Sequence, residues 1–280
     1  MTQTPQPFDT TPSRGHTWFN ALVGHAPTVP GLPASLLVAD TMLEQEHVRV
    51  LSVVPDPQNR FPRAQHGELG IDEGWGLASA VREVIDADQK GHRRAIIAVV
   101  DVPSQAYGRR EEVLGIHLAL AAAIDAYVIA RLAGHPIVTL VVGKAISGGF
   151  LAHGAQANRV LALDDPKIMI QAMAKEEAAR ITMRSVNELT KLAETVIPMS
   201  FDVKACMQLG IVQKALTGIN ADAPTTQEID QVKQELLTAI TEIRSGSRDL
   251  PDWSSSQEVR EHRTATLRVR EQMEAQWHVQ

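Results

Sequence analysis

Two short apolar runs separated by a long helical pattern constrain the fold of this chain most strongly. Residues 95–100 read Ala-Ile-Ile-Ala-Val-Val, and residues 137–142 read Ile-Val-Thr-Leu-Val-Val. Strands that are apolar at almost every position are typical of parallel sheets, because both faces of such sheets are covered. Between the runs, residues 111–133 carry apolar side chains at steps of three and four, which predicts a crossover helix. The sequence therefore predicts an α/β fold built on a parallel sheet.

Further segments extend this unit on both sides. Additional strands are predicted at residues 36–38, 48–54, 160–163 and 168–170. Helical periodicity is present at residues 75–89 and 225–244, and Thr225 with Glu228 fits a capping box at the start of the second helix. Past residue 173 we expect helices alone, so the prediction is a sheet-containing core followed by a helical C-terminal region.

Composition along the chain predicts three segments. Residues 1–16 are polar and rich in Pro and Thr, which indicates a flexible N-terminal tail. Residues 17–245 contain the strand and helix patterns and are expected to form the folded domain. Residues 246–280 begin with a Ser- and Asp-rich stretch, and we expect a linker followed by a charged helical tail.

Charge and apolar content argue against several classes of protein. The chain has 33 Asp and Glu against 27 Lys and Arg, whereas a nucleic-acid-binding protein usually presents a basic face. The longest apolar stretch, residues 118–132, is interrupted by Asp125 and Arg131, so we expect it not to span a membrane. No secretory signal is evident, and we expect a cytoplasmic protein. The single cysteine, Cys206, cannot form an internal disulfide and is expected to be buried.

The glycine-rich segment after the second apolar run is the strongest indication of chemistry. Residues 143–150 read Gly-Lys-Ala-Ile-Ser-Gly-Gly-Phe. Glycines at a strand-to-helix turn let a ligand approach bare backbone N–H groups, and the first N–H groups of a helix lack partners within the helix. The turn therefore fits an oxyanion or a carboxylate, although a tight turn that needs glycine only for packing is an equally open interpretation.

A second loop follows the first apolar run. Residues 101–108 read Asp-Val-Pro-Ser-Gln-Ala-Tyr-Gly. Ligands of parallel sheets gather at the carboxyl ends of the strands, so two loops at one end of neighbouring strands can share a pocket. An ordinary connecting loop is the alternative.

Other chemistries lack support in the sequence. His117 and His153 have no partner at the spacing of a zinc-binding helix, and no phosphate-binding glycine motif is present. Ser147 lacks the flanking glycines of a nucleophile elbow, so a capping role is favoured over a nucleophilic one. Arg109 and Arg110 could contact phosphates of a thioester carrier, but exposed arginines are common.

The two loops together resemble the carboxyltransferase branch of the crotonase superfamily. The stretch from residue 101 is similar to that branch's Asp-x-Pro-Gly-Phe-x-x-Gly-x-x-x-Glu-x-x-Gly pattern, with matches at Asp101, Pro103, Gly108, Glu112 and Gly115. After the long helix comes the Gly-Lys-Ala-x-x-Gly-Gly pattern, matched by Gly143, Lys144, Ala145, Gly148 and Gly149. The resemblance covers roughly residues 95–172, and Ser104 departs from it, because the branch usually has glycine there.

Within that branch the chain is most similar to the gamma subunits of biotin-independent malonate decarboxylases, on residues 147–182 and on chain length. The resemblance implies a crotonase-like carboxyltransferase-type domain at residues 17–245. It also implies a homologous beta subunit as partner, and a reaction in which a malonyl thioester on an acyl-carrier protein subunit loses CO2. The carrier arm would be a modified coenzyme A, an acyl-carrier protein transferase subunit would accompany the complex, and neither biotin nor a metal would be needed.

The resemblance also suggests residue roles. Ser147, Gly148 and Gly149 are the candidate catalytic residues, with backbone N–H groups near the departing carboxylate. The candidate substrate-binding wall consists of Pro103, Tyr107, Gly108 and Phe150.

Two alternatives stay open at this point. A biotin-dependent acyl-CoA carboxyltransferase subunit would use the same turn for the ureido oxygen of carboxybiotin. A non-catalytic structural partner would use the turn only to pack a subunit interface.

Overall fold

A computed structural model describes residues 12–250 and 256–277. Within these residues, seven strands form one sheet in the order β1-β2-β3-β4-β5-β7, and β6 pairs with β4. The strands are β1 Leu36–Leu43, β2 Glu46–Val53, β3 Ala95–Val102, β4 Ile137–Ile146, β5 Arg159–Leu163, β6 Met169–Gln171 and β7 Lys214–Leu216. β1 and β2 are antiparallel, and every other pairing is parallel. The predicted α/β fold on a parallel sheet is confirmed.

The helices surround this sheet. They are α1 Arg14–Val23, α2 Ile71–Ala87, α3 Arg109–Val113, α4 Ile116–Ala133, α5 Ser147–Ala152, α6 Lys175–Ile181, α7 Val186–Ala193, α8 Val203–Gln208, α9 Thr226–Ser245, α10 Gln257–His262 and α11 Thr264–Trp277. Short 3-10 helices span Ala64–His66 and Ile197–Met199. The capping box predicted at Thr225 is present, since its side chain accepts from Glu228 N–H.

The core lies along the two central strands. Residues 95–100 of β3 are all fully buried, as expected for a parallel strand covered on both faces. Trp18 of α1 is also fully buried, and its indole N–H donates to the Ala221 carbonyl at 2.9 Å. α1 packs on β1 to β4, while α2 packs on β1, β2 and α4.

Strand β4 is long enough to pair with two strands in succession on the same side. Val138 to Val141 pair with β5, and Lys144 to Ile146 pair with β6. The strand therefore runs through the predicted glycine turn as far as Ile146, and the turn begins at Ser147.

Three details of the sequence prediction are wrong. The predicted absence of strands after residue 173 fails, because β7 pairs with β5. The helix expected over 111–133 is two helices, because Gly115 interrupts it with a φ of 83°. The N-terminal tail was placed over residues 1–16, yet residues 14–16 form the first turn of α1, and residues 1–11 lie outside the described residues.

Arg14 explains why the fold begins earlier than predicted. Its guanidinium contacts Asp222 at 2.6 Å and Asp165 at 3.1 Å, and it also donates to the Val142 carbonyl at 3.1 Å. These bonds connect α1 to β4 and to the segment before α9. A residue that appears to belong to a polar tail is thus a buried arginine with partners distant in sequence.

Helix α4 is long and apolar. Its 18 residues have a mean hydropathy of 1.6, enough by length and composition alone to cross a membrane. Core helices of globular proteins share these properties, and 44% of this helix is buried inside the structure. A Cβ placed on Gly74 of α2 would lie 2.9 Å from the Ala119 backbone. α4 is therefore packed closely against α2.

Candidate functional site

The glycine turn joins β4 to α5 through an unusual backbone conformation. Ser147 has a φ of 59°, in the left-handed region that side-chain-bearing residues rarely adopt. Its hydroxyl donates to the Ala172 carbonyl at 2.8 Å, just beyond β6. This bond ties the turn to the end of the neighbouring strand. Because the hydroxyl proton is used there, the geometry disfavours a nucleophilic Ser147, as predicted. The predicted capping role is wrong, since the N-cap of α5 is Ile146 and no side chain caps this helix.

Gly149 is a glycine for steric reasons. A Cβ at this position would lie 2.6 Å from Val102 Cγ1 and 2.7 Å from the Ser104 carbonyl oxygen. Contacts this short do not occur, so α5 approaches the loop after β3 only because residue 149 has no side chain. The two glycine-containing loops, predicted to share one end of the sheet, are therefore in direct contact.

Gly148 shows how the two loops are joined. Its N–H donates to Gln105 Oε1 at 2.9 Å, across 43 positions of sequence. The sequence predicted this N–H as an open donor for a ligand, and the structure corrects that prediction, because a side chain of the same protein occupies it. Gln105 was not among the predicted site residues.

The backbone of the loop after β3 is held on both sides of Gln105. Leu69 N–H donates to the Ser104 carbonyl at 3.0 Å, and Ala106 N–H donates to the Leu69 carbonyl at 2.8 Å. These two bonds form a short parallel bridge that spans Gln105. Residue 105 is therefore fixed as part of a small extension of the sheet.

Tyr107 leads from this bridge to a charged cluster. The Arg63 guanidinium lies over the Tyr107 ring, 4.0 Å from its centre, and also donates to the Tyr107 carbonyl. Arg63 Nε contacts the Glu68 carboxylate at 2.9 Å. Burial raises the pKa of Glu68 to about 7, the Glu111 and Glu177 carboxylates add to the rise, and Arg63 opposes it.

Asp101 is a structural carboxylate. It accepts from Lys144 N–H at 3.0 Å and from Gly15 N–H at 3.4 Å, so it joins β3, β4 and α1. A Cβ on Gly143 would collide with this carboxylate. The first glycine of the Gly-Lys-Ala motif therefore makes room for Asp101. Both residues were matched to the family pattern, and their contact explains why they occur together.

A cavity of about 600 Å³ lies against the turn. Ser147, Gly148, Phe150 and Leu151 form one side. Much of the remaining lining comes from β6, α8 and the segment that joins α10 to α11. No carboxylate lines this cavity among the described residues, whereas His262 and Arg263 do. An uncharged wall with basic groups at one side suits an anionic ligand with an apolar portion.

Cys206 lies in the wall of this cavity and is buried and free, as the sequence predicted. Burial raises the pKa of its thiol to about 12, and the nearby Asp202 carboxylate adds to the rise. The thiol is therefore protonated at neutral pH and behaves as a packing group.

Behind the turn, α5 ends at a fully buried pair of polar side chains. The Val99 carbonyl can only accept, so His153 donates to it from Nε2 at 3.1 Å. The remaining nitrogen, Nδ1, then accepts from the Tyr127 hydroxyl at 3.0 Å. Burial lowers the pKa of His153 to about 4. The neutral imidazole connects α5 to β3 and α4.

The predicted site residues form two neighbouring groups. Ser147, Gly148 and Phe150 line the cavity, and Gly149 packs against the loop after β3. Pro103, Tyr107 and Gly108 belong to the adjoining loop and do not line this cavity. Gly108 also has a steric role, since a Cβ there would collide with the buried Glu111 carboxylate. Among the described residues, no group of three or more His, Cys, Asp or Glu side chains could hold a metal ion.

Sequence reasoning missed Gln105, which joins the two groups. The available signal was its place directly after Ser104, in a loop expected to face the glycine turn. It also missed Arg63 and Glu68, because the contact between Arg63 and Tyr107 joins segments that are far apart in the sequence.

Known proteins are similar to this chain over most of its length. Residues 64–277 match the family described as malonate decarboxylase gamma subunit. The chain is 33% identical over 216 residues to the malonyl-S-ACP:biotin-protein carboxyltransferase of Malonomonas rubra, which covers 76% of this chain and 70% of that protein.

Solved structures agree with this match. Two crystal structures of a Pseudomonas malonate decarboxylase, a hetero-tetramer in complex with coenzyme A and an MdcD-MdcE hetero-dimer, contain a chain that is 52% identical to this one. Their TM-scores are 0.87 and 0.85, and each match covers 95% of this chain and 100% of that chain. Transcarboxylase 12S shares the fold, with 19% sequence identity and a TM-score of 0.63. That match covers 89% of this chain and 47% of the transcarboxylase chain. The predicted crotonase-like carboxyltransferase fold is confirmed.

Proposed function

The chain belongs to the malonate decarboxylase gamma subunit family, and from that premise we propose that it is one half of an enzyme that removes CO2 from a malonyl thioester. A homologous beta subunit supplies the other half, as the MdcD-MdcE hetero-dimer of Pseudomonas suggests. The thioester is carried by an acyl-carrier protein subunit on a modified coenzyme A arm, with an acyl-carrier protein transferase subunit in the same cytoplasmic complex. No biotin and no metal take part.

The observation that carries this proposal is the contact between the two glycine-containing loops beside a cavity without carboxylates. Gly149 packs on Ser104, and Gly148 bonds to Gln105, so the turn and the loop form one continuous wall. The substrate's carboxylate would be repelled by an acidic lining. The wall of this chain has none at the cavity among the described residues, and its polar groups there are neutral or basic.

Decarboxylation sets the demands on the site. When the bond to the carboxylate breaks, its electron pair moves into the thioester and leaves negative charge on the thioester oxygen. Fixed donors aimed at that oxygen lower the barrier, and a donor of this kind contributes about 3–4 kcal/mol. In the proposed arrangement the beta subunit provides them, while the glycine turn of this chain faces the carboxylate and excludes water from it.

An exposed apolar surface beside the turn supports the docking of a partner there. Leu114, directly after α3, and Leu118, on the first turn of α4, are 56% and 57% exposed, and Leu151 on α5 is 54% exposed. α4 contacts α5, and Leu120 of α4 lies 3.6 Å from the position of a Gly148 Cβ, so α4 is beside the glycine turn. Exposed large apolar side chains on neighbouring elements are typical of an interface, and a partner that covers them would help to exclude water from the site.

The test uses the complex of this chain with its beta subunit and carrier, supplied with malonyl thioester labelled at the free carboxylate. The proposal predicts that the label leaves as CO2 without added biotin. The Malonomonas rubra relative favours a second candidate, transfer of the carboxyl group to a biotin protein. Label that stays on the malonyl thioester until a biotin protein is added, and then moves to that protein, would contradict the decarboxylase and support the transferase.

A non-catalytic role is tested by the same assay with turn variants. If this chain only packs against a catalytic partner, substitutions of Gly148 and Gln105 that preserve the complex should preserve CO2 release. We expect them to reduce it.

A further inference from the structure

The Gln105 side chain has a fixed orientation. A backbone N–H must point at an acceptor, so the 2.9 Å contact with Gly148 requires the carboxamide oxygen, and not its nitrogen, to face the turn. The backbone of residue 105 is held by the bridge between the segment around Leu69 and the loop. Both ends of this side chain are therefore tied down, and little freedom remains to rotate the amide.

Gly148 allows this approach. A Cβ at residue 148 would lie 3.2 Å from Gln105 Oε1 and 3.4 Å from Gln105 Cδ, tighter than most Cβ contacts. The glycine therefore admits the carboxamide next to Gly148, which itself lines the cavity, whereas Gln105 lies directly behind that lining.

The hydrogen bond between Gly148 and Gln105 occupies the Gly148 N–H and leaves the Gln105 amide nitrogen as a donor. With Oε1 committed, the Gln105 amide nitrogen presents two N–H groups, and none of the residues that the structure describes accepts from them. The neighbouring Ser147 hydroxyl is already committed to Ala172. Beside the turn the free donor is thus a side-chain amide held by Gly148, in place of the turn's own Gly148 N–H.

We propose that Gln105 binds the carboxylate of the substrate through its amide nitrogen. This inference rests on the proposed function and assigns the contact to a residue of the loop after β3. The Gly148 N–H then acts through Gln105 by fixing the direction of the amide, and Gly148 is a positioning residue.

A neutral donor suits a carboxylate that must leave as CO2. A lysine or arginine would neutralise the anion and stabilise the ground state as well as the transition state, which does not accelerate the chemical step. An amide orients the carboxylate by a hydrogen bond without a full opposite charge. The electrons of the breaking bond pass into the thioester, CO2 departs without a proton, and Gln105 is unchanged.

The experiment compares Gln105→Ala and Gln105→Glu in the full complex, with two readouts. The first is kcat and KM for CO2 release, and the second is binding of malonate, used as a probe, by calorimetry. Loss of a hydrogen bond to a charged group predicts a fall in kcat/KM of about ten- to a hundred-fold for Gln105→Ala. Gln105→Glu should fall further, because its carboxylate still accepts from Gly148 but presents a negative oxygen to the substrate.

Gln227→Glu is the matched control for charge, since Gln227 is exposed on α9 and should leave both readouts unchanged. Intact complexes on gel filtration and unchanged melting temperatures would separate binding from folding.

Two outcomes overturn the inference while the proposed function stands. If Gln105→Ala binds malonate and turns over as well as the wild type, the amide makes no contact. If it binds malonate more tightly, Gln105 blocks the turn in the free protein, and the substrate displaces it. A wild-type complex that binds malonate more tightly than Gln105→Ala but releases no CO2 would instead support the inference and overturn the decarboxylase.

Discussion

Replacing Gly149 with alanine tests how closely the two loops of the site must approach each other. The new Cβ would lie 2.6 Å from Val102 Cγ1, 2.7 Å from the Ser104 carbonyl oxygen and 2.9 Å from its carbon. Ordinary contacts begin at 3.4 Å, so α5 and the loop must separate by about 0.8 Å. Two of these three atoms belong to the backbone, which cannot rotate away.

The cost follows from this overlap. Overpacking of a filled interior destabilises by about 1–3 kcal/mol, and we expect the upper part of this range because the backbone must move. For a chain of this size, that corresponds to a fall in melting temperature of roughly 4–10 °C. A displacement of this size at a reacting centre can reduce turnover by about a hundred-fold.

Gly148→Ala is the matched control for stability. Its Cβ would meet the Gln105 side chain at 3.2 Å, and a side-chain tip yields more easily than backbone. We expect a loss of less than about 1 kcal/mol in the free energy of unfolding. Urea denaturation of the isolated chain and CO2 release by the complex measure the two effects. A Gly149→Ala protein as stable and active as the wild type, or destabilised less than Gly148→Ala, would refute the packing argument.

Three further predictions concern the partner surface, a buried histidine and the buried thiol. Leu118→Glu should weaken binding of the beta subunit at least a hundred-fold in pull-down titrations, with little effect on the chain's own stability. Val269→Glu, at a similarly exposed residue of α11, should leave the affinity unchanged. Equal affinities of the two variants would rule out the surface around Leu118 as the interface. The pKa of His153 is lowered to about 4, so on acidification the unfolded chain takes up this proton before the folded chain does. The free energy of unfolding should therefore drop by up to about 1.4 kcal/mol per pH unit from about pH 6.5 towards pH 4. A smaller slope in His153→Gln would confirm that His153 causes the drop, and equal slopes in the two proteins would contradict it. Burial raises the pKa of the Cys206 thiol to about 12. Iodoacetamide at pH 8 should therefore modify this thiol at least a hundred-fold faster in the chain unfolded by urea than in the folded chain. Similar rates would mean that the thiol is accessible in the folded chain.

The central strands were predictable because their sequence leaves few alternatives. Six consecutive apolar residues at 95–100 can be buried only where both faces of a strand are covered, and β3 lies there. β7 was missed because its three residues, beginning with the exposed Lys214, carry no periodicity of their own. It is a strand because β5 offers it a pairing edge.

The site could be predicted in outline but not in its contacts. The two glycine-containing loops were identified because each follows a buried strand, and parallel strands bring such loops to one end. The bond between Gly148 and Gln105 depends on the register of β3 against β4, which shifts at an irregularity between Val100 and Val102. Nothing in the local sequence encodes that shift. The contribution of the α10–α11 segment to the cavity likewise depends on packing between segments distant in the chain.

We propose that this chain is half of a shared active site. The most direct test measures CO2 release from a malonyl thioester by the purified chain, by the purified beta subunit and by the two co-expressed proteins. We expect activity only in the mixture, because in the proposed arrangement the glycine turn of this chain faces the carboxylate while the partner holds the thioester oxygen. Full activity of either chain alone would contradict a shared site.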